Sequence, residues 1–282
     1  MSDHSAPLLF DRTMLARRQA RAQRLGAETF LLDRIAEEIE DRLAVVLRQF
    51  TSAADIGTPG SGLAERLAGR ASSWRSVGAG DDEATGLPLA PGSIDLAVSA
   101  LALQWVNDLP GLLAQIRRAL RPDGLLLAAT IGGETLTELR QCFAAAEAEI
   151  EGGVSPRVIP MLDLRDAGGL LQRAGFALPV CDVERLTIRY NDVFALMKDL
   201  RRMGATNVLH ERRRSLTRRA TMMRVAQLYA ERFADADGRI RATFEVIWMS
   251  GWTPHESQQK PLKPGSAKAS LADAVKAQRS DS

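Results

Sequence analysis

Residues 93–131 read SIDLAVSALALQWVNDLPGLLAQIRRALRPDGLLLAATI. Two apolar runs in it, 93–102 and 125–131, have the length of strands and no polar alternation, so both faces of each must be covered. Between them, 110–120 carries leucine and isoleucine at helical spacing, with Pro110 at its start. Arg121-Pro122-Asp123-Gly124 breaks the chain before the second run. Strand, crossover helix and strand predict a parallel sheet with helices on both faces, the doubly wound α/β class with a Rossmann-like sheet.

Upstream, TSAADIGTPGSG (51–62) places a short strand, 53–57, before a glycine-rich turn. It is expected to lie beside 94–100 and 125–131 as a parallel neighbour. Residues 63–80 must then hold the first helix and everything before the next acidic loop. A βαβ unit takes about 30 residues. There is room for a short helix (63–69) and one strand (72–77), so a strand–helix unit is missing and the sheet is short by about one strand.

Downstream, 134–150 and 163–174 read as helices, and 179–190 alternates like an antiparallel edge strand. Two helical patterns fill 192–233, and 240–248 is the last strand. Residues 11–50 read as helical, with Leu31, Leu32, Ile35, Ile39, Leu43 and Val46 at three- and four-residue spacing. The expected organisation is a helical N-terminal extension (1–50), a main domain (51–256) with a helical insertion at 191–235, and a flexible tail (257–282).

The 282 residues are 45% hydrophobic and 26% charged, enough for a sizeable core, and the net charge of +2 suggests no nucleic-acid partner. No run approaches the ~20 apolar residues of a membrane span. Cys142 and Cys181 are isolated and fit a reducing compartment. The N-terminal arginines 12, 17, 18, 21 and 24 mimic a transit peptide, but Asp3, Asp11 and Glu28 count against one. A bacterial cytoplasmic protein is expected.

In a doubly wound sheet the turn after the first strand faces the ligand. Asp55, Gly57, Gly60 and Gly62 stand in that turn, although Pro59 removes one N–H donor. Asp81-Asp82-Glu83 either closes the shortened strand in the ribose-binding role or serves an adenine-side role, the ribose carboxylate then being absent; a solvated loop is the simpler alternative. Asn107 and Asp108 bind a substrate guanidinium or cap the next helix. His4, His210 and His255 have no metal-ligand spacing, and none of them stands beside the turn as a general base. No metal site or catalytic residue is assigned. The basic run Arg212, Arg213, Arg214, Arg218 and Arg219 is a solvated helix face or a dock for an acidic partner.

DIGTPGSG (55–62) resembles the S-adenosylmethionine (SAM) loop of class I methyltransferases. SALALQWVNDLP (99–110) is similar to the segment after the fourth strand in the complex I assembly factor family, with Gln104 where a histidine is common. That resemblance extends through Phe10-Asp11-Arg12, GGETLTELR (132–140), EGGVSP (151–156), RAGF (173–176), MGATN (203–207) and HESQ (255–258), covering residues 10–267 in order. The biotin-pathway malonyl-carrier methyltransferases match more loosely. The resemblance implies SAM as cofactor, held by Asp55, Gly57, Gly60, Gly62, Asp82, Ser99 and Gln104. It assigns substrate contact to Trp105, Asn107 and Asp108. It also implies a protein substrate, a subunit of respiratory NADH:quinone oxidoreductase, modified by methylation or arginine hydroxylation. The alternative is an assembly chaperone that kept the fold and lost SAM.

Overall fold

The computed structural model describes residues 8–60, 62–79 and 86–258. Asp81, Asp82 and Glu83, and the tail beyond Gln258, lie outside the described residues. In chain order the elements are α1 (Arg12–Arg24), α2 (Phe30–Ala44), β1 (Phe50–Ile56), α3 (Gly62–Arg66), β2 (Ala71–Val77), β3 (Ile94–Ala100), α4 (Leu109–Ala119) and β4 (Leu120–Ile131). They continue with α5 (Thr137–Glu151), α6 (Leu164–Arg173), β5 (Ala177–Tyr190), α7 (Val193–Arg202), α8 (Arg219–Phe233) and β6 (Ile240–Trp252).

One six-stranded sheet has the order β2-β1-β3-β4-β6-β5. The first four strands are parallel, β6 runs antiparallel to β4, and β5 runs antiparallel to β6. The strands expected from the two apolar runs and from the segment before the glycine-rich turn are therefore neighbours, in the expected direction. Only β2 stands outside β1, where a fully doubly wound sheet carries two strands. The count of residues 63–80 anticipated this shortening.

Side-chain alternation explains why the centres of β3 and β4 carry apolar residues on both faces. Leu96 and Val98 on β3, with Leu125, Leu127 and Ala129 on β4, join the core under α2, α5, α7 and α8. Ala97, Leu126 and Ala128 face the other way, into a core built with α4 and α6. Every residue of β3 is buried, so a polar side chain there needs a partner supplied by the protein.

Three boundaries differ from the sequence reading. The helical stretch 11–50 is two helices, because Gly26 adopts φ +76° just after α1 and stops it. Its last residue, Phe50, already belongs to β1, paired with Ala71 and 5% exposed. The breaker before β4 is a bulge within the strand: Ile94 pairs Leu120 while Leu96 pairs Leu125, and Asp123 takes φ +61° to absorb the extra residues.

Candidate functional site

Doubly wound sheets bind ligands beyond the carboxyl ends of their strands. Here the ends of β1, β3 and β4 face a cavity of about 900 Å³, within the roughly 300–1,000 Å³ usual for ligand pockets. Pro59, Gly60 and Gly62 line it from the β1 turn, and Leu101, Gln104 and Trp105 from the β3 turn. Helices α1, α2, α5 and α7, the segments 135–136 and 157–161, the loop 203–213 and Phe244 of β6 supply most of the remaining walls.

The N-terminal segment closes this cavity by a set of long-range bonds. Asp11 caps α1 by accepting from the Met14 N–H at 2.8 Å, and its other oxygen meets Arg212 at 3.3 Å. The Phe10 N–H donates to Asn107 Oδ1 at 2.7 Å, and Asn107 Nδ2 donates to the Phe10 carbonyl at 3.1 Å. The Phe10 ring stands edge-on to Trp105 with centroids 6.1 Å apart, and Arg12 donates to the Trp105 carbonyl at 3.0 Å. The Phe10-Asp11-Arg12 motif thus ties α1 to the β3 turn and to the helical insertion. Asn107 serves that tie, and Asp108 caps α4 by accepting from the Gly111 N–H at 2.9 Å. Trp105 is the one of the three substrate-side candidates in the cavity wall.

The cofactor-side candidates divide likewise. Gly60 has φ +82° and open space where a Cβ would stand, and Gly62 is equally open. Gly57 is different: a Cβ there would lie 2.6 Å from Ala79 Cβ and 3.1 Å from Ala102 Cβ. Its φ of +72° and its 2.8 Å bond to the Val77 carbonyl make it a packing glycine. A side chain at Gly57 would therefore disturb the packing of the turn itself and not only a ligand above it. Ser99 is wholly buried and donates to the Ile56 carbonyl at 2.7 Å, holding the strand ends together. Gln104 donates to the Leu101 carbonyl at 2.7 Å and accepts from the Thr130 hydroxyl at 3.1 Å. Helix α3 has five residues, too few for a strong dipole at the turn.

Asp55 sits beneath the turn, 2% exposed, with Oδ1 lacking any hydrogen-bond partner among the described residues. Burial pushes its pKa up, and hydrogen bonds from the Thr58 hydroxyl and N–H only partly oppose that. The Thr58 hydroxyl in turn accepts from the Ala100 N–H at 2.9 Å, linking the two turns. Two non-glycine residues of the wall, Leu101 and Leu136, hold left-handed backbone at φ +53° and +54°. Such conformations cost of order 1–3 kcal/mol each and concentrate at ligand sites.

These observations fit a bound SAM in part. The open glycines and the cavity volume favour it; Asp55 and its orphaned oxygen are buried beneath the turn and do not line the cavity. The described residues at the end of β2, Ser76 to Ala79, carry no carboxylate for a ribose. Spacing in the sequence gave no sign of the α1 and 203–213 walls, whose residues lie far from the strand turns along the chain. The basic run is part of this wall: Arg212 and Arg213 line the cavity half-buried, and Arg213 pairs with Glu151 at 2.8 Å. His255 lies elsewhere, its Nδ1 accepting from the Ser257 N–H at 3.3 Å.

Residues 52–128 match the family described as a methyltransferase domain. The chain is 37% identical to the arginine-hydroxylase NDUFAF5, mitochondrial, of Danio rerio, covering 95% of this chain and 90% of that protein. Its human counterpart is 35% identical, with 94% and 83% covered. Among solved structures, a Haemonchus contortus phosphoethanolamine N-methyltransferase 2 in complex with S-adenosylhomocysteine superposes with a TM-score of 0.51. That match has 17% identity and covers 86% of this chain and 60% of that one; it bears on the fold alone. The relatives named mitochondrial overturn the expectation of a bacterial cytoplasmic protein, which is withdrawn. Similar along nearly its whole length to the NDUFAF5 proteins and built on the methyltransferase sheet, the chain belongs to the NDUFAF5 family of methyltransferase-fold proteins.

Proposed function

We propose that the cavity at the carboxyl edge of the sheet binds SAM and that the protein modifies an arginine side chain of a protein partner, a subunit of NADH:quinone oxidoreductase. The observation that carries this reading is the junction of the β1 and β3 turns around one cavity, with Gly60 and Gly62 open toward a ligand. SAM, when bound, supplies a sulfonium-activated methyl group. The fold alone therefore favours arginine methylation, and the name of the relatives favours hydroxylation.

The chain's own groups have definable parts in either reaction. Gly60 and Gly62 let a ligand approach the backbone, and Gln104, fixed at both ends of its amide, keeps the β3 turn in its left-handed shape. Asp55 offers an acceptor beneath the turn. Asp33 lines the cavity, accepts from the Thr29 hydroxyl at 2.8 Å and has no arginine partner among the described residues. It is the wall carboxylate available to a substrate guanidinium. Trp105 and the Phe10–Asn107 tie exclude water on the β3 side.

Titration calorimetry with SAM and S-adenosylhomocysteine tests the cofactor half, with saturable 1:1 heat as the expected result. Mass spectrometry of a partner incubated with protein and SAM, with dioxygen and a two-electron reductant supplied, tests the reaction. A gain of one oxygen on arginine marks hydroxylation, and a gain of one methylene marks methylation. The second reading, a chaperone without SAM, is favoured by Pro59, which has no N–H, and by the lack of a carboxylate among the described residues at the end of β2, Ser76 to Ala79. Absence of binding heat selects it.

A further inference from the structure

Arg18 stands in the second turn of α1, half-buried in the cavity wall. Most other arginines of that wall meet a carboxylate. Arg157 is bonded to Glu147, Arg202 lies 3.0 Å from Glu28, Arg212 3.3 Å from Asp11 and Arg213 2.8 Å from Glu151. Arg201 is exposed to solvent. Arg18 alone among them is half-buried with no hydrogen bond or ion pair to any described residue. The carboxylate that attracts it, Asp11, is engaged by Arg212. Its pKa is lowered, first by burial and then by repulsion from Arg212 and Arg21. A cation held out of water beside like charges is unfavourable unless an anion joins it.

The surroundings fit an anion carried on an apolar body. Leu32, Leu136, Leu139, Phe143, Met161 and Met197 supply much of the lining. The 203–207 loop packs directly on α1, where a Cβ on Gly204 would lie 3.1 Å from the Gln19 Cα, next to Arg18. Two residues along, Thr206 lines the same cavity with a buried hydroxyl that has no partner. A carboxylate suits this place, because a guanidinium donates to it bidentately and a hydroxyl donates to a remaining lone pair.

We propose that Arg18 is the carboxylate receptor of the cavity, binding either the methionine carboxylate of SAM or a carboxylate on the substrate. This rests on the cavity being the ligand site proposed above, but it does not require the ligand to be SAM.

The test uses the full chain, as wild type and as Arg18→Met, which keeps the apolar stem and removes the charge. Calorimetry compares SAM with decarboxylated SAM, and octanoate with octanol. Arg18→Met is expected to weaken the carboxylate ligand of at least one pair by about tenfold or more and to leave the neutral or decarboxylated ligand unchanged. Loss confined to SAM makes the cofactor the source; loss confined to octanoate makes the substrate the source. Arg18→Lys should recover part of the affinity. The melting temperature should be unchanged or higher, because an unpaired buried cation has gone; a structural arginine would lower it. If wild type gives no heat with SAM but binds octanoate through Arg18, the SAM reading fails and this inference stands. Equal carboxylate affinities in wild type and Arg18→Met, or no binding of either carboxylate to wild type, overturn it.

Discussion

Asp55 and Asp95 sit on adjacent parallel strands, 2% and 5% exposed, yet the two ends of the sheet treat them in opposite ways. At the amino end, Asp95 accepts from the Thr51 N–H at 2.9 Å, the Thr51 hydroxyl at 2.6 Å and the Ser52 N–H at 2.9 Å, with Arg121 at 3.6 Å. Burial would raise its pKa, but those bonds outweigh burial and hold it below the usual carboxylate value. At the carboxyl end, Asp55 keeps one oxygen unpartnered and its pKa is raised by burial. Strained backbone occurs at both ends, but at the amino end it is locked: Asp123, at φ +61°, is bonded to Arg48 and accepts from Gln258 at 2.9 Å. The buried carboxylate at the amino end has both oxygens bonded, whereas the one at the carboxyl end keeps one oxygen without a partner among the described residues.

The sharpest way to break this contrast is Gly57→Val, which belongs to the carboxyl end by position but to the packing by its contacts. A β-branched residue at φ +72°, crowding Ala79 and Ala102, should cost about 3–5 kcal/mol. Chemical denaturation should show that loss; an unchanged midpoint would return Gly57 to the ligand. Asp95→Ala comes next. It orphans the Thr51 and Ser52 N–H groups and should cost about 2–3 kcal/mol, read from the same curves at neutral pH. Because the folded pKa of Asp95 is lowered, its contribution is present above the unfolded pKa. It is lost as pH falls through the folded value, so the variant's deficit should shrink in acid.

Gly60→Ala should lose only about 1 kcal/mol, for the left-handed backbone alone, while its methyl intrudes on SAM. A thermal melt and a SAM titration separate the two effects. Asp55→Asn should show the smallest stability change, with the opposite sign to Asp95. A raised folded pKa means that ionisation costs stability as pH rises through that value. The variant should therefore equal or exceed wild type at neutral pH while binding SAM less tightly. A clear loss of stability would show that Asp55 is structural after all.

How much of this was legible beforehand follows the range of the interactions. Strands β3 and β4 declare themselves through local apolar runs, because a parallel strand buries both faces, and β1 declares itself through the glycine-rich turn that follows it. The missing strand–helix unit is legible too, since residues 63–80 cannot hold it. Gly57 and Gly60 look alike in DIGTPGSG, and only Ala79 and Ala102, both distant along the chain, make one a packing glycine and the other an open one. Asn107 reads as a substrate ligand until Phe10, 97 residues away, is found bonded to it. The helix pattern across 11–50 conceals the stop at Gly26, a residue whose type was the available signal. Arg18 and Arg212 are ordinary members of basic runs in the sequence, and only the packing of the 203–213 loop on α1 places them around one cavity.

Hydrogen exchange with and without saturating SAM tests the contrast between the two ends most directly. The account predicts slowed exchange at the amides of Gly57, Thr58 and Gly60 and across 101–106, with no change at Thr51, Ser52 and 121–124. Protection absent from the carboxyl-end amides, or appearing at the amino end instead, would contradict it.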